Sequence, residues 1–289
     1  MEEMKMLNGK ILSDEILQNI SEEIEQKSEQ CGRVPRLELI LVGYDFGSIK
    51  YVQMKKKVAD KIGMECNIRH LDTTATTQEV LDLINNLNQD PLVDGLMVQL
   101  PLPEHIDSNE ILDSIAPNKD VDGLTATNLG GLFQKKPTAI APATPLGIME
   151  LLKEYRIKIF GKKVVIVGAS NIIGIPLSAM MLEKNATVVI CNKHTVDLLE
   201  VTKTADILVS ATGVPELIKK EYIKAGVVLI DVGSNKHPET GKLVGDVDFK
   251  SVEGIPSYIT PVPGGVGPMT IASLMLNLMK IYNENTRTN

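Results

Sequence analysis

Short apolar runs alternate with segments of helical periodicity along almost all of this chain, and they do so in two separate series. "LELILV" at 37–42 ends at Gly43, "CNIRHL" fills 66–71, and "DGLMVQL" at 94–100 is stopped by Pro101 and Pro103. Each is short, bounded by breakers and reads as a buried strand. Helical spacing separates them, at 48–63 and in "QEVLDLINNLN" at 78–88, and Leu12, Ile16, Ile20 and Ile24 mark an amphipathic helix ahead of the first strand. The second series begins near Thr144, where "TPLGIMELLKEY" reads as a capped helix. Strands are expected at 163–168, 186–191, 205–211 and 226–233, with a helix after the first reaching about Lys184. Strands alternating with helices imply parallel α/β sheets, and such sheets bind ligands outside the carboxyl ends of their strands. Gln99 sits at one such end. The final helix, "MTIASLMLNLMKIYNE", is apolar on most sides, so it is expected to pack back on the first series or on another chain. The polar segment 117–140 is the expected crossover. The division is then 1–140 plus the C-terminal helix 268–289, and 141–267.

Length and charge narrow the function. A chain of 289 residues accommodates two ordinary domains. Its net charge of -7, with no basic block, argues against nucleic acid as a partner. Cys31, Cys66 and Cys191 are scattered, as are the four histidines, so no metal site is expected. Unpaired thiols suit a reducing compartment. The start "MEEMKMLNGK" lacks the basic and apolar regions of a leader. No run of about eighteen apolar residues could span a bilayer. These features predict a cytoplasmic protein without a membrane partner.

One helix carries an anomaly. "SIKYVQMKKKVADKIG" at 48–63 holds five lysines. At about 100° per residue, Lys50, Lys57 and Lys61 share a narrow arc and Lys56 lies to one side. Lys55 falls instead among Tyr51, Val58, Ala59 and Ile62, the apolar face. A lysine there snorkels to solvent, pairs with another group, or lies in a cleft with a lowered pKa.

Three further motifs stand out. "VVIVGASNIIG" resembles a dinucleotide fingerprint, although Ser170 replaces the second glycine and Gly174 comes one residue late. An ordinary strand-to-helix turn is the competing reading. The next strand runs into "CNKHT", so Lys193 and His194 stand where an NAD site usually places Asp or Glu, and a cation there suits a 2'-phosphate. "ITPVPGGVGPMT" at 259–270 places three glycines and three prolines between a strand and a long helix: either a hinge or a stiff loop of bare amides for binding. "KDVDGL" at 119–124 puts Asp120 and Asp122 before a glycine. Such a pair makes a turn, or one carboxylate accepts paired hydrogen bonds from an amino-pyrimidine edge.

With "YVQMKKK", "DGLMVQLPLPEHID", "PNKDVDGL", "PATPLGI", "GASNIIG", "GDVDF" and "ITPVPGGVGPMT" in order over nearly the whole length, the chain resembles the bifunctional methylenetetrahydrofolate dehydrogenase/methenyltetrahydrofolate cyclohydrolase family. The resemblance implies two α/β domains with parallel sheets, the second a Rossmann-type NAD(P)-binding domain, with the active site in the cleft between them. It implies NADP as cofactor, a tetrahydrofolate derivative as substrate, a homodimer, and a place in one-carbon metabolism that supplies purine biosynthesis. Lys55 then looks like the catalytic lysine, Tyr51 its neighbour on the folate, Gln99 the partner of the amine and Asp122 the anchor of the pterin. Val52, Val98 and Leu100 would border the substrate, with the run Pro263, Gly264, Gly265, Val266, Gly267, Pro268, Met269, Thr270 and Ile271. Gly168, Ala169, Ser170, Ile173, Gly174, Lys193 and Ser234 would hold the cofactor. Ala143 stands where many members carry cysteine, Ala169 where some carry arginine, and Ser234 where isoleucine is common. Two other classes fit less of this pattern: another NAD(P)-dependent dehydrogenase on the same fold, and a non-catalytic folate or nucleotide binder.

Overall fold

The structure, a computed structural model, describes residues 4–237 and 239–286. Two compact units divide the chain: Glu15–Ala143 with the chain from Ile271 onward, and residues up to Asp14 with Thr144–Thr270.

In the first unit three parallel strands lie in the order Glu65–Leu71, Arg36–Val42, Gly95–Val98. Residues two apart on a strand share a face, and the two faces bury different cores. Leu37, Leu39, Leu41 and Met97 pack with Val52, Ala59 and Ile62 and with Leu274, Met275, Leu278 and Tyr282 of the C-terminal helix. On the other side Ile40, Val42, Leu96 and Val98 pack with Val80, Ile84, Leu87 and Ile111. Burial on both faces explains the near-continuous apolar runs of Arg36–Val42 and Gly95–Val98, whereas Glu65–Leu71, at the edge, is largely exposed or half-buried and mixes polar with apolar residues. The lysine-rich helix spans Phe46–Lys61 and starts at Asp45, whose carboxylate accepts from the Ser48 amide at 2.7 Å. Helix Thr77–Gln89 opens with a capping box between Thr76 and Glu79. The C-terminal helix, Val266–Asn285, is tied down within this unit by Asn277, whose amide donates to the carbonyls of Val121 at 2.8 Å and Ala141 at 2.9 Å.

The segment expected to be a crossover is not one. It lies wholly within the first unit, holds the helix Ala126–Phe133, and the chain passes to the other unit after Ala143. Asp120 organises it, accepting from the amides of Gly123 and Thr125, each at 2.8 Å, and from the Asn128 side chain at 3.0 Å. Part of the polar composition thus serves internal hydrogen bonding, through the buried Lys119, Asp120, Thr125 and Asn128, while Gln134, Lys135 and Lys136 face solvent.

In the second unit six parallel strands run in the order Lys5–Met6, Tyr258–Ile259, Val228–Asp231, Ile207–Ser210, Lys163–Val167, Thr187–Cys191. The chain starts at Lys163–Val167, steps out to Thr187–Cys191 and returns past its origin to Ile207–Ser210. That reversal is the topological switch point at which doubly wound sheets bind ligands. The first fourteen residues, expected with the folate-side domain, group with this unit because Lys5–Met6 extends its sheet. A two-residue strand carries no periodicity, so Lys5–Met6 was not legible, whereas Tyr258–Ile259 supplies the strand expected ahead of the glycine-rich loop.

Candidate active site

The apolar face of the lysine helix meets strand Gly95–Val98 through Lys55. Lys50, Lys57 and Lys61 are exposed and Lys56 is half-buried, but Lys55 retains only 8% of its surface. Its amine donates to Gln99 Oε1 at 2.9 Å and to Met97 Sδ at 3.2 Å. Burial pushes the Lys55 pKa below the ordinary lysine value, against a smaller upward pull from the negative charge of Asp122. Gln99 is fixed in turn: its own amide donates to the Leu100 carbonyl at 2.6 Å, which also accepts from the Ser48 hydroxyl at 3.4 Å.

Asp122 reaches the same neighbourhood through a short parallel bridge between Leu96 and Asp120, which lays the 119–123 segment along the strand. The two aspartates differ in kind. Asp120 is buried and saturated by the three donors above. Asp122 is half-buried, and no hydrogen bond from a described residue engages its carboxylate. Burial raises its pKa, the Lys55 charge lowers it, and Asp120 adds to the rise. Tyr51, one turn before Lys55, is 49% exposed.

Other expected substrate residues are placed differently. Val52 and Val98 are buried in opposite cores of the sheet, so their side chains pack rather than face a ligand. Met97 was not singled out; its one signal was the strand periodicity that puts it on the face of Gln99.

In the second unit the expected cofactor residues gather at the carboxyl ends of the strands. Gly168 follows Lys163–Val167 with φ +121, and a Cβ there would stand 2.2 Å from the Ala211 carbonyl oxygen. A Cβ at Gly174 would come within 1.8 Å of the Gly168 oxygen. The late glycine therefore performs the close helix-to-turn contact of a dinucleotide fingerprint despite its shifted spacing. Ser170 Oγ accepts from the Ile173 amide at 3.2 Å, and helix Gly174–Glu183 begins with no side-chain cap on its first amides. Its N-terminus, with exposed Ala169 and Ser170 beside it, suits a phosphate. Lys193 is exposed just beyond the neighbouring strand, in a turn closed by the Asn192 amide donating to Thr195 at 2.9 Å.

Ser234, also exposed, rides on a network that sequence reading missed. Asp246 accepts from Ser210 Oγ at 3.1 Å, the Thr212 amide at 2.6 Å and Asn235 at 2.9 Å. Asp231 accepts from the amides of Gly233 and Asp246, each at 2.9 Å, and of Val247 at 3.0 Å. Burial pushes Asp231 up to about 6, with those three amides opposing the rise. The signal lay in the two acidic motifs "DVG" and "GDVD", each ending or following a strand.

The glycine-rich loop belongs to this unit as far as Thr270. Gly264 has φ +105, and a Cβ on Gly265 would stand 2.5 Å from the Pro261 oxygen. Both glycines are thus demanded by the backbone itself. Pro263 and Gly267 are exposed and Pro268 is half-buried, whereas Val266 and Met269 are buried. Thr270 shares a hydrogen bond with Thr144 at 3.0 Å, and Ile271, partly buried, packs against the first unit's core.

Among the described residues no group of acidic, histidine or cysteine side chains could hold a metal ion, and no helix is long and apolar enough to cross a membrane.

Comparison with known proteins gives these placements a family. Residues 7–122 match the family model "Tetrahydrofolate dehydrogenase/cyclohydrolase, catalytic domain", and residues 142–286 match "Tetrahydrofolate dehydrogenase/cyclohydrolase, NAD(P)-binding domain". The chain is 49% identical over 279 residues to "Bifunctional protein FolD" of Aquifex aeolicus, covering 96% of this chain and 95% of that one. The crystal structure of the bifunctional FolD dehydrogenase/cyclohydrolase from Campylobacter jejuni aligns with a TM-score of 0.95 at 45% identity, over 97% of this chain and 99% of that one. The Trypanosoma brucei enzyme, solved with NADP cofactor and an inhibitor, aligns with a TM-score of 0.94 at 35% identity over the full length of both. With two family models that together match most of its length and relatives near half identity, the chain belongs to the tetrahydrofolate dehydrogenase/cyclohydrolase family.

Proposed function

We propose that this protein oxidises 5,10-methylenetetrahydrofolate to the 5,10-methenyl form with NADP and then hydrolyses that product to 10-formyltetrahydrofolate. The observation that carries the reading is the Lys55 amine, buried on an apolar helix face and held by Gln99 at 2.9 Å. Hydrolysis at neutral pH needs a base, and an ordinary lysine is fully protonated there. Burial lowers the Lys55 pKa, and a cationic substrate beside it lowers it further. Water then adds to the methenyl carbon as its proton passes to the amine. The added hydroxyl then loses its proton to solvent and becomes the carbonyl as the bond from that carbon to one ring nitrogen breaks, and the proton held by the amine passes to that nitrogen, releasing the formyl product. Gln99 orients the amine without adding charge.

Asp122 anchors the pterin, because a carboxylate free of internal partners can accept from the ring's amino group and adjacent N–H together. Tyr51 lies against the folate. NADP, when bound, supplies the hydride acceptor. Gly168, Ala169, Ser170, Ile173 and Gly174 cradle its phosphates, Lys193 pairs with the 2'-phosphate, and Ser234 sits alongside. For oxidation the protein need only align donor and acceptor and exclude water.

The same reading places the protein in the cytoplasm, serving purine biosynthesis, as a homodimer made through the nucleotide unit. Support for the dimer comes from edge strand Thr187–Cys191, whose outer residue Ile190 is exposed, as is nearby Leu182. Sedimentation velocity on the purified chain tests that assembly. A spectrophotometric assay with methylenetetrahydrofolate and each nicotinamide cofactor tests the activity; no oxidation with either cofactor would refute it.

A further inference from the structure

Met97 stands two residues before Gln99, so both side chains leave the strand on the face that meets Lys55. The two flanking residues, Leu96 and Val98, point into the opposite core. The Lys55 amine is therefore bracketed, with Gln99 Oε1 at 2.9 Å and Met97 Sδ at 3.2 Å. That second separation is shorter than a plain packing contact of about 3.5–4.0 Å. A neutral primary amine has two N–H bonds and one lone pair. We propose that Met97 is a positioning residue for the Lys55 base, its sulfur and the Gln99 oxygen taking the two N–H bonds so that the lone pair points away from both.

The residue type fits that task. A carboxylate at this position would stabilise the ammonium form and disarm the base, because hydrogen bonds between charged partners are the strong ones. A thioether is a weak acceptor. It gives direction to the neutral amine with little reward for protonation, and it keeps the pocket apolar.

The inference rests on Lys55 being the cyclohydrolase base, and the test separates the two ideas. Met97→Leu conserves volume and apolarity, a change cores tolerate, and removes only the acceptor. Both activities are assayed on one preparation across pH, and the Lys55 pKa is read independently from the pH dependence of its acetylation, by peptide mass spectrometry. The expected result is a plateau cyclohydrolase kcat lowered about three-fold or more, the size of one modest hydrogen bond, with dehydrogenase kcat and folate KM unchanged. Loss of an acceptor also disfavours the ammonium form, so the acid limb and the acetylation pKa move down together, by about half a pH unit. An active wild type with an unchanged variant overturns the positioning role, as does a loss shared equally by both activities, which marks a packing defect. A wild type that oxidises the folate but hydrolyses nothing overturns the base assignment itself, and the role of Met97 with it.

Discussion

At the scale of single residues, the protonation state of one amine separates the two proposed reactions. Lys55→Met keeps the apolar stem and removes the base, so cyclohydrolase activity should be lost while fold and NADP binding persist. Parallel assays and a thermal melt check this, and wild-type hydrolysis by the variant would refute it. The pH profile follows from the direction of the shift. Because the Lys55 pKa lies below the ordinary lysine value, the free base is present at lower pH than usual. Cyclohydrolase activity should rise with pH through that depressed value and fall on acidification, with no matching limb in hydride transfer. The aspartate pair makes a second contrast. Asp122→Asn should lower both activities together and leave the melting temperature unchanged, since no internal donor depends on that carboxylate. Asp120→Ala removes the acceptor of the Thr125 amide and of one Asn128 N–H, and leaves the Gly123 amide only the Asp120 carbonyl at 3.3 Å; it should cost about 2 kcal/mol or more in a denaturant titration. The turn motif by itself left the two aspartates alike, and the family resemblance singled out Asp122. What distinguishes them is which carboxylate the local turn consumes, and that depends on Asn128 and the backbone after it.

At the scale of elements, the turn between strand Lys163–Val167 and helix Gly174–Glu183 was legible as a strand, a glycine and a helix. Its irregular spacing left the binding role open. The contact of Gly174 with the Gly168 oxygen resolves the irregularity, because glycine is required where helix and turn touch, whatever the residue count between them. Gly174→Ala should therefore separate the two, costing about 1–3 kcal/mol and weakening NADP binding measured by calorimetry; unaltered affinity would remove the turn from the cofactor site. For Lys193, a charge-assisted contact with phosphate is worth about 1.5–3 kcal/mol. Lys193→Ala should raise the KM for NADP by about ten-fold or more and leave NAD kinetics nearly unchanged. If NAD is the better cofactor of the wild type, that assignment is wrong.

At the scale of the whole molecule, the C-terminal helix completes a core begun more than two hundred residues earlier. Leu274, Met275, Leu278, Met279, Ile281 and Tyr282 are all buried there against Leu37, Leu39 and Met97. At about 1.5–3 kcal/mol per buried side chain, their loss is comparable to the whole stability of a domain, about 5–15 kcal/mol. A chain ending before Ile271 should lose cooperative unfolding of the Glu15–Ala143 unit, read by circular dichroism during thermal denaturation; a melt with the same transitions as the intact chain would contradict this. The sequence by itself determined the parallel α/β class, the strands and helices with strong periodicity, the odd placement of Lys55, and the family to which the ordered motifs point. Those properties are local, carried by side-chain spacing within one element or by a contiguous motif. Only the tertiary structure decided that Lys5–Met6 join the nucleotide sheet, that 117–140 folds within its own unit, and that Val52 and Val98 serve as packing. It alone revealed the Asp231–Asp246 network and the sulfur of Met97 beside the Lys55 amine. Each of these is a pairing between segments distant in the chain, and spacing along one segment carries no record of which distant partner its hydrogen bonds and buried faces will meet.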